Sequence, residues 1–379
     1  MIETRALTSL HVDTARTWRG GQHQVLQTVS GLNRLHHPSI LVARRGGALA
    51  SRAPDDIRSA TLRMIGEFDV FAAWQLRRLV LSTTPDVVHV HDPGGVALIA
   101  LALSMGPAIH PRPLVVASRR VDFHLKRHTL SRWKYGHTDV FIAVSRVIRD
   151  MLIEDGIPAD RIDVVYEGAN VRAIGAATPL DVRATFSLPP EALVVGNVAA
   201  LVPHKGQRDL IDAAAIVVQQ IPQARFVILG EGPLMPEFAA QVAALGLERH
   251  VLLPGFRTDV LGLQKTFDVF VMSSITEGMG TAMLDAMACG TALVGTLAGG
   301  IPEAITDGDT GLLVPIHEPR AMATAIVRLL NDASLRSALG ARARQRMEST
   351  FSADHMVAQT LDVYERRLRR PVGESSIGF

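Results

Sequence analysis

The sequence lacks several features that would each indicate a particular class of protein. Its 379 residues include one cysteine, Cys289, which excludes an intramolecular disulfide framework and favours a reducing compartment. Apolar runs stop well short of the ~20 residues that a membrane-spanning helix needs. The run VALIALALSM, for example, covers only 96–105. Charged residues also come too early in the chain for a signal peptide, so we expect a cytoplasmic protein.

A strong excess of charge of either sign is missing as well. The 39 Lys+Arg and 37 Asp+Glu leave a formal net charge of +2, which argues against nucleic acid as the main partner. The charges are unevenly placed, because residues 1–180 carry 22 basic and 16 acidic side chains and the remainder carries 17 and 21. Lysine is rare, with only four in the chain: Lys126, Lys134, Lys205 and Lys265. The basic half is suited to an anionic acceptor or a membrane surface.

The hydrophobic pattern is that of an α/β protein with more than one domain. Hydrophobic residues make up 47% of the chain, and the length fits two or three domains of ~150 residues. Short β-branched runs alternate with stretches of helical period, as expected for parallel strands that helices cover on both faces. The predicted strands are 6–12, 39–43, 86–91, 114–118, 139–144, 163–166, 193–199, 226–230, 251–255, 268–273, 291–295 and 311–315.

A segment rich in Gly, Ala and Pro at 167–190 marks the domain boundary. We predict a first Rossmann-like domain over 1–172 and a second over 173–352, each with a doubly wound sheet. From about 318 the strand signal ends and three amphipathic helices follow. The last of them, within 353–379, is expected to return to the first domain and to end in a tail.

The chemistry-bearing pattern begins where the strand 268–272 ends. A loop with the sequence EGMG follows, and a helix is expected to start near Gly280. Free backbone N–H groups at a helix start form an anion site, and Glu277 can accept hydrogen bonds from sugar hydroxyls. Asp285 lies one helical turn beyond Thr281 on the same face. A strand–turn–helix whose glycines serve only packing is the alternative interpretation.

Residues 273–315 as a whole closely resemble the signature of glycosyltransferase family 4, the retaining nucleotide-sugar enzymes of the GT-B fold. That signature runs E-x7-E from an E-G-x-G start, then L-E-A-M-A-x-G, G-G-x-P-E and G-x-L-V. This chain has Glu277 to Asp285, LDAMACG, GGIPE at 299–303 and GLLV at 311–314. Further similar segments are WRGGQHQVL (18–26), VVYEGAN (164–170), VGNVAALVPHKGQRDLIDAA (195–214) and GEGP (230–233).

The resemblance implies two Rossmann-like domains that face each other across a cleft, with the donor mainly on the second. It assigns catalytic roles to Lys205, the diphosphate lysine, and to Glu277, which contacts the donor sugar. It implies neither a metal nor another cofactor beyond the nucleotide sugar. The implied donor-binding set is Gly20, Gly21, Lys205, Glu231, Arg257, Glu277, Gly278, Met279, Gly280, Thr281, Ala282 and Asp285. Arg257 can equally be a solvated loop residue.

Two positions depart from the family pattern. The arginine expected five residues before the lysine is replaced by Ala200, and His204, Arg257 or the pair Arg119–Arg120 are candidates to replace its charge. A histidine expected after the strand 114–118 is replaced by Arg119. Arg119, Arg120 and His124 are therefore predicted cleft or acceptor residues. Loop solvation or an ion pair with Asp122 is the alternative for the two arginines.

Three other patterns are discounted. Asp307-Gly308-Asp309 has the D-x-D form of some metal sites, but Asp-Gly between two structured segments is turn chemistry. His89 and His91 share one face of a predicted strand and indicate a strand end near the cleft rather than a metal site. GNVAAL and GGQHQV lack the G-x-G-x-x-G fingerprint of a nicotinamide site.

We therefore predict a retaining, metal-independent glycosyltransferase that uses a nucleotide-diphosphate sugar. The expected acceptor is a cell-envelope glycan or glycolipid intermediate. The basic N-terminal half suits peripheral contact with the inner face of the membrane, and scattered solvated arginines are the alternative interpretation. The residues concerned are Arg77, Arg78, Arg112, Arg119, Arg120, Arg127, Arg132 and Lys134, with Trp133 and Tyr135. Two alternatives stay open: another GT-B sugar-nucleotide enzyme with a soluble acceptor, and a non-catalytic nucleotide-sugar-binding subunit.

Overall fold

The computed structural model describes residues 5–121, 123–126 and 128–369. Its strands are β1 (Ser9–Asp13), β2 (Ser39–Arg44), β3 (Ser59–Leu62), β4 (Val87–Val90), β5 (Leu114–Arg119), β6 (Val140–Ala143), β7 (Ile162–Val164), β8 (Leu193–Val198), β9 (Ala224–Leu229), β10 (Val251–Gly255), β11 (Val269–Met272), β12 (Ala292–Thr296) and β13 (Leu312–Val314). Its helices are α1 (Gly20–Arg34), α2 (Val70–Thr83), α3 (Pro93–Ser104), α4 (Thr129–Gly136), α5 (Arg146–Glu154), α6 (Val171–Ala176), α7 (Val182–Thr185), α8 (Gln207–Gln220), α9 (Met235–Ala244), α10 (Val260–Gln264), α11 (Thr281–Cys289), α12 (Ile301–Ala304), α13 (Pro319–Asn331), α14 (Ala333–Thr350) and α15 (Ala353–Arg369).

The chain forms two compact units, each built on one parallel sheet. The N-terminal unit contains the described residues up to Glu167 together with α15, and the C-terminal unit is Gly168–Ser352. Strand order is β3-β2-β1-β4-β5-β6-β7 in the first sheet and β10-β9-β8-β11-β12-β13 in the second. Both orders reverse beside the first strand of the unit, which is the doubly wound arrangement of Rossmann-like domains. The predicted α/β fold class is confirmed.

Burial on both faces explains why the strand sequences are apolar throughout. Every residue of β1, β4 and β11 is buried, and the helices on either side supply the rest of each core. In the C-terminal unit Phe226 and Val271 belong to one apolar cluster with residues of α8 and α13. This is the pattern that parallel sheets require, because no face of the sheet is left to water.

Helix α15 is separated in sequence from the rest of the N-terminal unit but packs within it. Val357 and Tyr364 join Leu32 of α1 and Val116 of β5 in a single buried cluster. The preceding helices α13 and α14 pack in the C-terminal unit, where α14 contacts α11. The predicted tail at 371–379 lies outside the described residues.

The edge strand β3 is absent from the sequence-based strand predictions. Three of its four residues are exposed or only partly buried, so Ser59–Leu62 shows no apolar run. Its pairing with β2 nevertheless extends the sheet by one strand, with Leu41 aligned to Ser59 and Arg44 to Leu62. Among the described residues, none of the helices is both long and apolar enough to cross a membrane.

Candidate functional site

The central feature of the C-terminal unit is an ion pair at the carboxyl ends of two adjacent strands. Lys205 ends a short helical turn that follows β8, and Glu277 lies in the loop that follows β11. Lys205 Nζ lies 2.5 Å from Glu277 Oε2, and Ser274 Oγ donates to the same oxygen at 3.0 Å. Both charged side chains are mostly buried, with 20% and 11% of the side chain exposed. The structure thus brings together the two residues predicted to be catalytic.

The amino end of α11 lies directly beyond this pair and has the features of an anion site. Its N-cap residue, Gly280, has φ +86 and offers no side chain to cap the helix, and the first turn holds no acidic residue. Gly278, Met279 and Gly280 are buried, and Thr281 and Ala282 are partly exposed. Backbone N–H groups that lack a partner inside the helix, together with the helix dipole, favour a phosphate there.

A glycine turn packs behind the Glu277 loop and fixes its backbone. Gly300 N donates to Glu277 O at 3.1 Å. At Gly299, which has φ +48, a Cβ atom would lie 1.8 Å from the same carbonyl oxygen. Gly299 therefore has no room for a side chain, and this contact together with the Gly300 hydrogen bond sets the position of the Glu277 backbone.

The second acidic residue of the motif, Asp285, lies one turn into α11 and is partly exposed. Desolvation by the surrounding protein raises the pKa of its carboxyl group to about 7. The carboxyl group is therefore close to half protonated at neutral pH. Its predicted contact with ribose hydroxyls stays a prediction.

The raised pKa of Asp285 leads to an expected pH dependence with two opposite trends. Because the folded-state pKa of Asp285 lies above the unfolded value of 3.8, its contribution to stability is complete only below that value and is lost as the pH rises to about 7. The thermal stability of the ligand-free protein should thus fall from pH 6 to pH 8. Because the ionised carboxylate is the stronger acceptor, nucleoside diphosphate affinity should rise about tenfold over the same range.

The matched variant for this test is Asp285→Asn, which keeps the size of the side chain and removes its titration. We expect both pH trends to weaken in this variant, as measured by thermal unfolding and by calorimetric titration at pH 6, 7 and 8. A wild-type protein whose stability and affinity are both flat over this range would contradict the assignment of Asp285.

Two other predicted donor residues follow β9 and β10 at the same edge of the sheet. Glu231 is exposed, and its carbonyl oxygen accepts from Leu201 N at 2.9 Å, which joins its loop to the one after β8. Arg257 is held by Asp259, with its Nε 2.8 Å from Asp259 Oδ1, and it stacks over the ring of Phe186 at 5.7 Å. The structure therefore assigns the Arg257 side chain a local ion pair, while its role in donor binding stays a prediction.

The N-terminal unit brings part of the predicted set together at the carboxyl ends of β1, β4 and β5. Gly20 begins α1, and a Cβ atom at Gly21 would lie 3.5 Å from Arg120 Cδ. Arg120 Nη1 donates to Glu167 Oε1 at 3.0 Å, and Arg120 Nη2 lies 3.2 Å from His91 Nδ1. The glycine loop, predicted to bind the donor, and Arg120, predicted to line the cleft or acceptor side, are thus neighbours, and both roles stay predictions.

Arg119 and His124 are held in other ways. Arg119 Nη2 donates to the carbonyl oxygen of Phe123. His124 Nδ1 lies 2.8 Å from Asp155 Oδ1, and the imidazole is 62% exposed. The two side chains therefore shape the segment that follows β5, and their predicted acceptor role stays a prediction.

Three buried histidines lie at this edge, and the sequence indicated two of them, His89 and His91. His11 of β1 is aligned with His89 of β4, and the ring nitrogens of His11, His89 and His91 lie within 4.8 Å of one another. Burial lowers the pKa of all three, to about 3 for His11, so the imidazoles are neutral. His89 was recognised from sequence as a strand-end residue, but His11 was missed, because only the strand register brings it to His89.

Hydrogen bonds determine how these imidazoles are protonated. A guanidinium group can only donate, so Arg120 requires His91 Nδ1 to accept and the His91 proton to be on Nε2. His91 Nε2 then donates to His11 Nδ1, with 3.1 Å between the two nitrogens. His11 Nε2 in turn donates to Ser9 Oγ at 2.9 Å. Neutral histidines could hold a metal ion, but this network and the charge of Arg120 both oppose one at the cluster.

Two residues that complete the edge were also missed. Tyr364 of α15 places its hydroxyl 2.6 Å from His89 Nδ1, and Glu167 carries the ion pair to Arg120. Glu167 lies in the segment VVYEGAN (164–170) but was assigned no role there, and both residues come from segments far from the histidines in sequence. Only the return of α15 and the end of the first unit bring them there.

Comparison with known proteins agrees with this geometry. The family model of glycosyltransferase family 4 matches residues 18–172, and that of the glycosyl transferases group 1 matches 181–346. EpsD of Bacillus subtilis, which has a glycosyltransferase assignment, is 28% identical over 319 residues, covering 80% of this chain and 82% of EpsD. The N-acetyl-alpha-D-glucosaminyl L-malate synthase of Bacillus anthracis is 25% identical, covering 80% of each chain.

A solved structure shows the same fold. HepE from Anabaena, in complex with UDP-glucose, superposes with a TM-score of 0.81 at 20% identity, over 95% of this chain and 100% of that chain. The two family models together match most of the chain. The protein is a GT-B glycosyltransferase, and it belongs to the family 4 and group 1 glycosyltransferases.

Proposed function

We propose that this glycosyltransferase binds a nucleoside-diphosphate sugar on its C-terminal unit and transfers the sugar with retention of the anomeric configuration. The observation that carries the proposal is the Lys205–Glu277 pair at 2.5 Å beside the uncapped start of α11. A cation, a sugar-binding carboxylate and free N–H groups are the three elements that a donor of this kind needs.

The chemistry follows from where charge develops. Breaking the bond between the anomeric carbon and the diphosphate leaves negative charge on the departing phosphate oxygen. The Lys205 ammonium group and the N–H groups of Thr281 and Ala282 can stabilise that charge. In the ligand-free structure Glu277 neutralises Lys205, so the donor has to displace this ion pair or share it. Glu277 is then free to accept hydrogen bonds from sugar hydroxyls.

We propose that this stabilisation needs no metal ion. Support comes from the cationic and dipolar groups already present at the donor site, which can take over the charge-neutralising role of a divalent ion. We also propose that the N-terminal unit holds the acceptor near Gly20, Gly21 and Arg120, and that the acceptor is an envelope glycan or glycolipid intermediate. The polar edge formed by β1, β4 and β5 supports this placement.

Thermal shift with UDP, GDP, ADP, CDP and dTDP, each repeated with 5 mM EDTA, tests the donor proposal. We expect one of these nucleotides to raise the unfolding temperature by several degrees, with UDP as the first candidate because HepE was solved with UDP-glucose. The shift should survive EDTA. If none of the five stabilises the protein, the donor site is assigned wrongly. Binding without sugar transfer or donor hydrolysis would instead favour a non-catalytic subunit.

We propose that peripheral membrane contact centres on the start of α2, with Arg78 over the ring of Trp74 at 5.0 Å, and not on the other basic residues expected from sequence. Arg77 donates to the carbonyl oxygens of Ala102 and Pro107, and other basic residues of the predicted surface are paired with acids. The start of α2 instead exposes Phe71 by 55% and Trp74 by 41%, and their rings stack. Exposed aromatic residues beside basic ones suit a lipid interface. Replacing both aromatics by serine should weaken co-sedimentation with phosphatidylglycerol vesicles.

A further inference from the structure

A cavity of about 370 Å³ lies in the N-terminal unit apart from the residues discussed so far. Its lining residues follow three neighbouring strands, β1, β2 and β3, of the sheet. They are Arg16, Arg44, Arg45, Gly46, Arg63 and Met64. Open α/β sheets bind ligands at the carboxyl ends of their strands. The cavity, here called the arginine cavity, therefore lies at the edge of the sheet where ligands bind.

The arginine cavity carries four positive charges, of which Arg44 interacts with the carboxylate of Asp69. All six lining residues are described, and none of them is acidic. Arg44 Nη2 donates to Met64 O at 2.7 Å. The side chains of Arg16, Arg45 and Arg63 are exposed and form no ion pair or hydrogen bond with a described residue. These three guanidinium groups have no acidic partner among the described residues and repel one another, so an anion that enters between them relieves that repulsion.

Backbone hydrogen bonds hold the three loops in place around the cavity. Arg45 N donates to Leu62 O at 2.8 Å, which joins the β2 and β3 ends. Ala48 N donates to Arg16 O at 3.1 Å, which joins the loop after β1 to the loop after β2. Gly46 turns the chain with φ +73, and nothing lies within 4 Å of the position of its Cβ. The arginine backbones are therefore fixed before a ligand arrives, which lowers the entropic cost of binding.

We propose that the arginine cavity binds a phosphate group of the acceptor substrate. This inference rests on the proposed function and adds the chemical class of the acceptor. Guanidinium groups bind phosphate oxygens in bidentate geometry, and a site with four of them can neutralise more than one negative charge. The phosphate can belong to a lipid headgroup or to a free sugar phosphate, and both present the same group to the cavity. Arg16 lies four residues before Gly20, so the cavity continues along the same strand ends as the acceptor site proposed above.

Inorganic pyrophosphate, titrated calorimetrically into the full chain, is the probe that tests the cavity. All titrations use the Lys205→Ala background, so that the donor site contributes little to the signal. The test variant is Arg45→Ala/Arg63→Ala, which removes two exposed side chains. The matched control is Arg58→Ala. Arg58 is exposed like Arg63, but it lies before β3 instead of after it, and it lines a different cavity. A further variant, Arg45→Lys/Arg63→Lys, keeps the charge and removes the bidentate geometry.

We expect pyrophosphate affinity to fall at least about tenfold in the test variant, to fall less in the lysine variant, and to be unchanged in the control. Co-sedimentation with phosphatidylglycerol vesicles distinguishes the two sources of the phosphate group, a lipid headgroup and a free sugar phosphate. A parallel loss of vesicle binding in the test variant identifies a lipid headgroup, and unchanged vesicle binding identifies a free phosphate. Unchanged pyrophosphate affinity in the test variant, or an equal loss in the control, would overturn the proposal. UDP binding by the unmodified chain tests the proposed function separately. A lack of UDP binding would contradict the donor site and would leave the pyrophosphate comparison between the variants unaffected.

Discussion

Replacing Lys205 by alanine should reduce sugar transfer by ~10²–10³-fold, the range seen when one preorganised group that stabilises a developing charge is removed. The structure gives the reason, because Lys205 Nζ lies 2.5 Å from Glu277 and beside the free N–H groups of α11. The measurement is kcat and KM for the donor, with the nucleotide product detected directly. We expect most of the effect in kcat, since the charge is largest in the transition state.

Lys265→Ala is the matched control for this prediction. Lys265 is the only other lysine after residue 134, and its ammonium group donates to the carbonyl oxygens of Gly175 and Ala177 at 3.2 and 2.6 Å. Its removal should lower thermal stability with little effect on kcat.

A double variant of Lys205 and Glu277 should lose less sugar-transfer activity than the two single losses combined, because the residues are partners. Full turnover in Lys205→Ala would exclude this residue from the mechanism.

Replacing Gly299 by alanine should destabilise the C-terminal unit by ~3 kcal/mol or more and greatly reduce donor binding. The added methyl group would lie 1.8 Å from the carbonyl oxygen of Glu277, in a backbone conformation of φ +48 that alanine rarely adopts. Overpacking costs typically 1–3 kcal/mol and a left-handed conformation ~1–2 kcal/mol more. The loop that carries Glu277 has to move to relieve the overlap, so the nucleotide-induced thermal shift should disappear.

The variant Gly308→Ala separates the effect of the left-handed backbone from the effect of the overlap with Glu277. Gly308 also has a positive φ, +71, but nothing lies within 4 Å of the position of its Cβ. We expect Gly308→Ala to lower the free energy of unfolding by ~1–2 kcal/mol, the backbone contribution alone, and to leave nucleotide binding unchanged. Denaturant unfolding and thermal shift with the best nucleotide give both quantities. Equal effects of the two substitutions would mean that the contact with Glu277 does not position the loop.

The donor side of the molecule could be predicted from sequence because its parts are close together in the chain. Glu277, Gly280 and Asp285 lie in one strand–loop–helix segment, so the local pattern already determines their arrangement. Lys205 required one further step, the pairing of β8 with β11, which a parallel sheet with this order supplies. The ion pair between Lys205 and Glu277 is a detail of side-chain packing that no spacing reveals.

The N-terminal unit was less predictable because its polar groups come from many segments. The arginine cavity depends on three loops, one of which follows β3, a strand with no apolar pattern. His11 meets His89 only through the register of β1 and β4. Arg119 and His124 were expected to line a site together with Arg120, but the first is held by a carbonyl group and the second by Asp155. The spacing of motif residues does not predict the path of the loops that bring such side chains together.

The position of α15 determines the order in which the protein can be built during synthesis. The C-terminal unit is one continuous segment, Gly168–Ser352, and has all its core residues once that segment has left the ribosome. The N-terminal unit does not, because Val357, Val363 and Tyr364 fill its core beside Leu32. Although translated first, this unit can finish folding only last. Until Tyr364 emerges, His89 Nδ1 lacks its hydroxyl partner, and the apolar side of α1 around Leu32 stays uncovered.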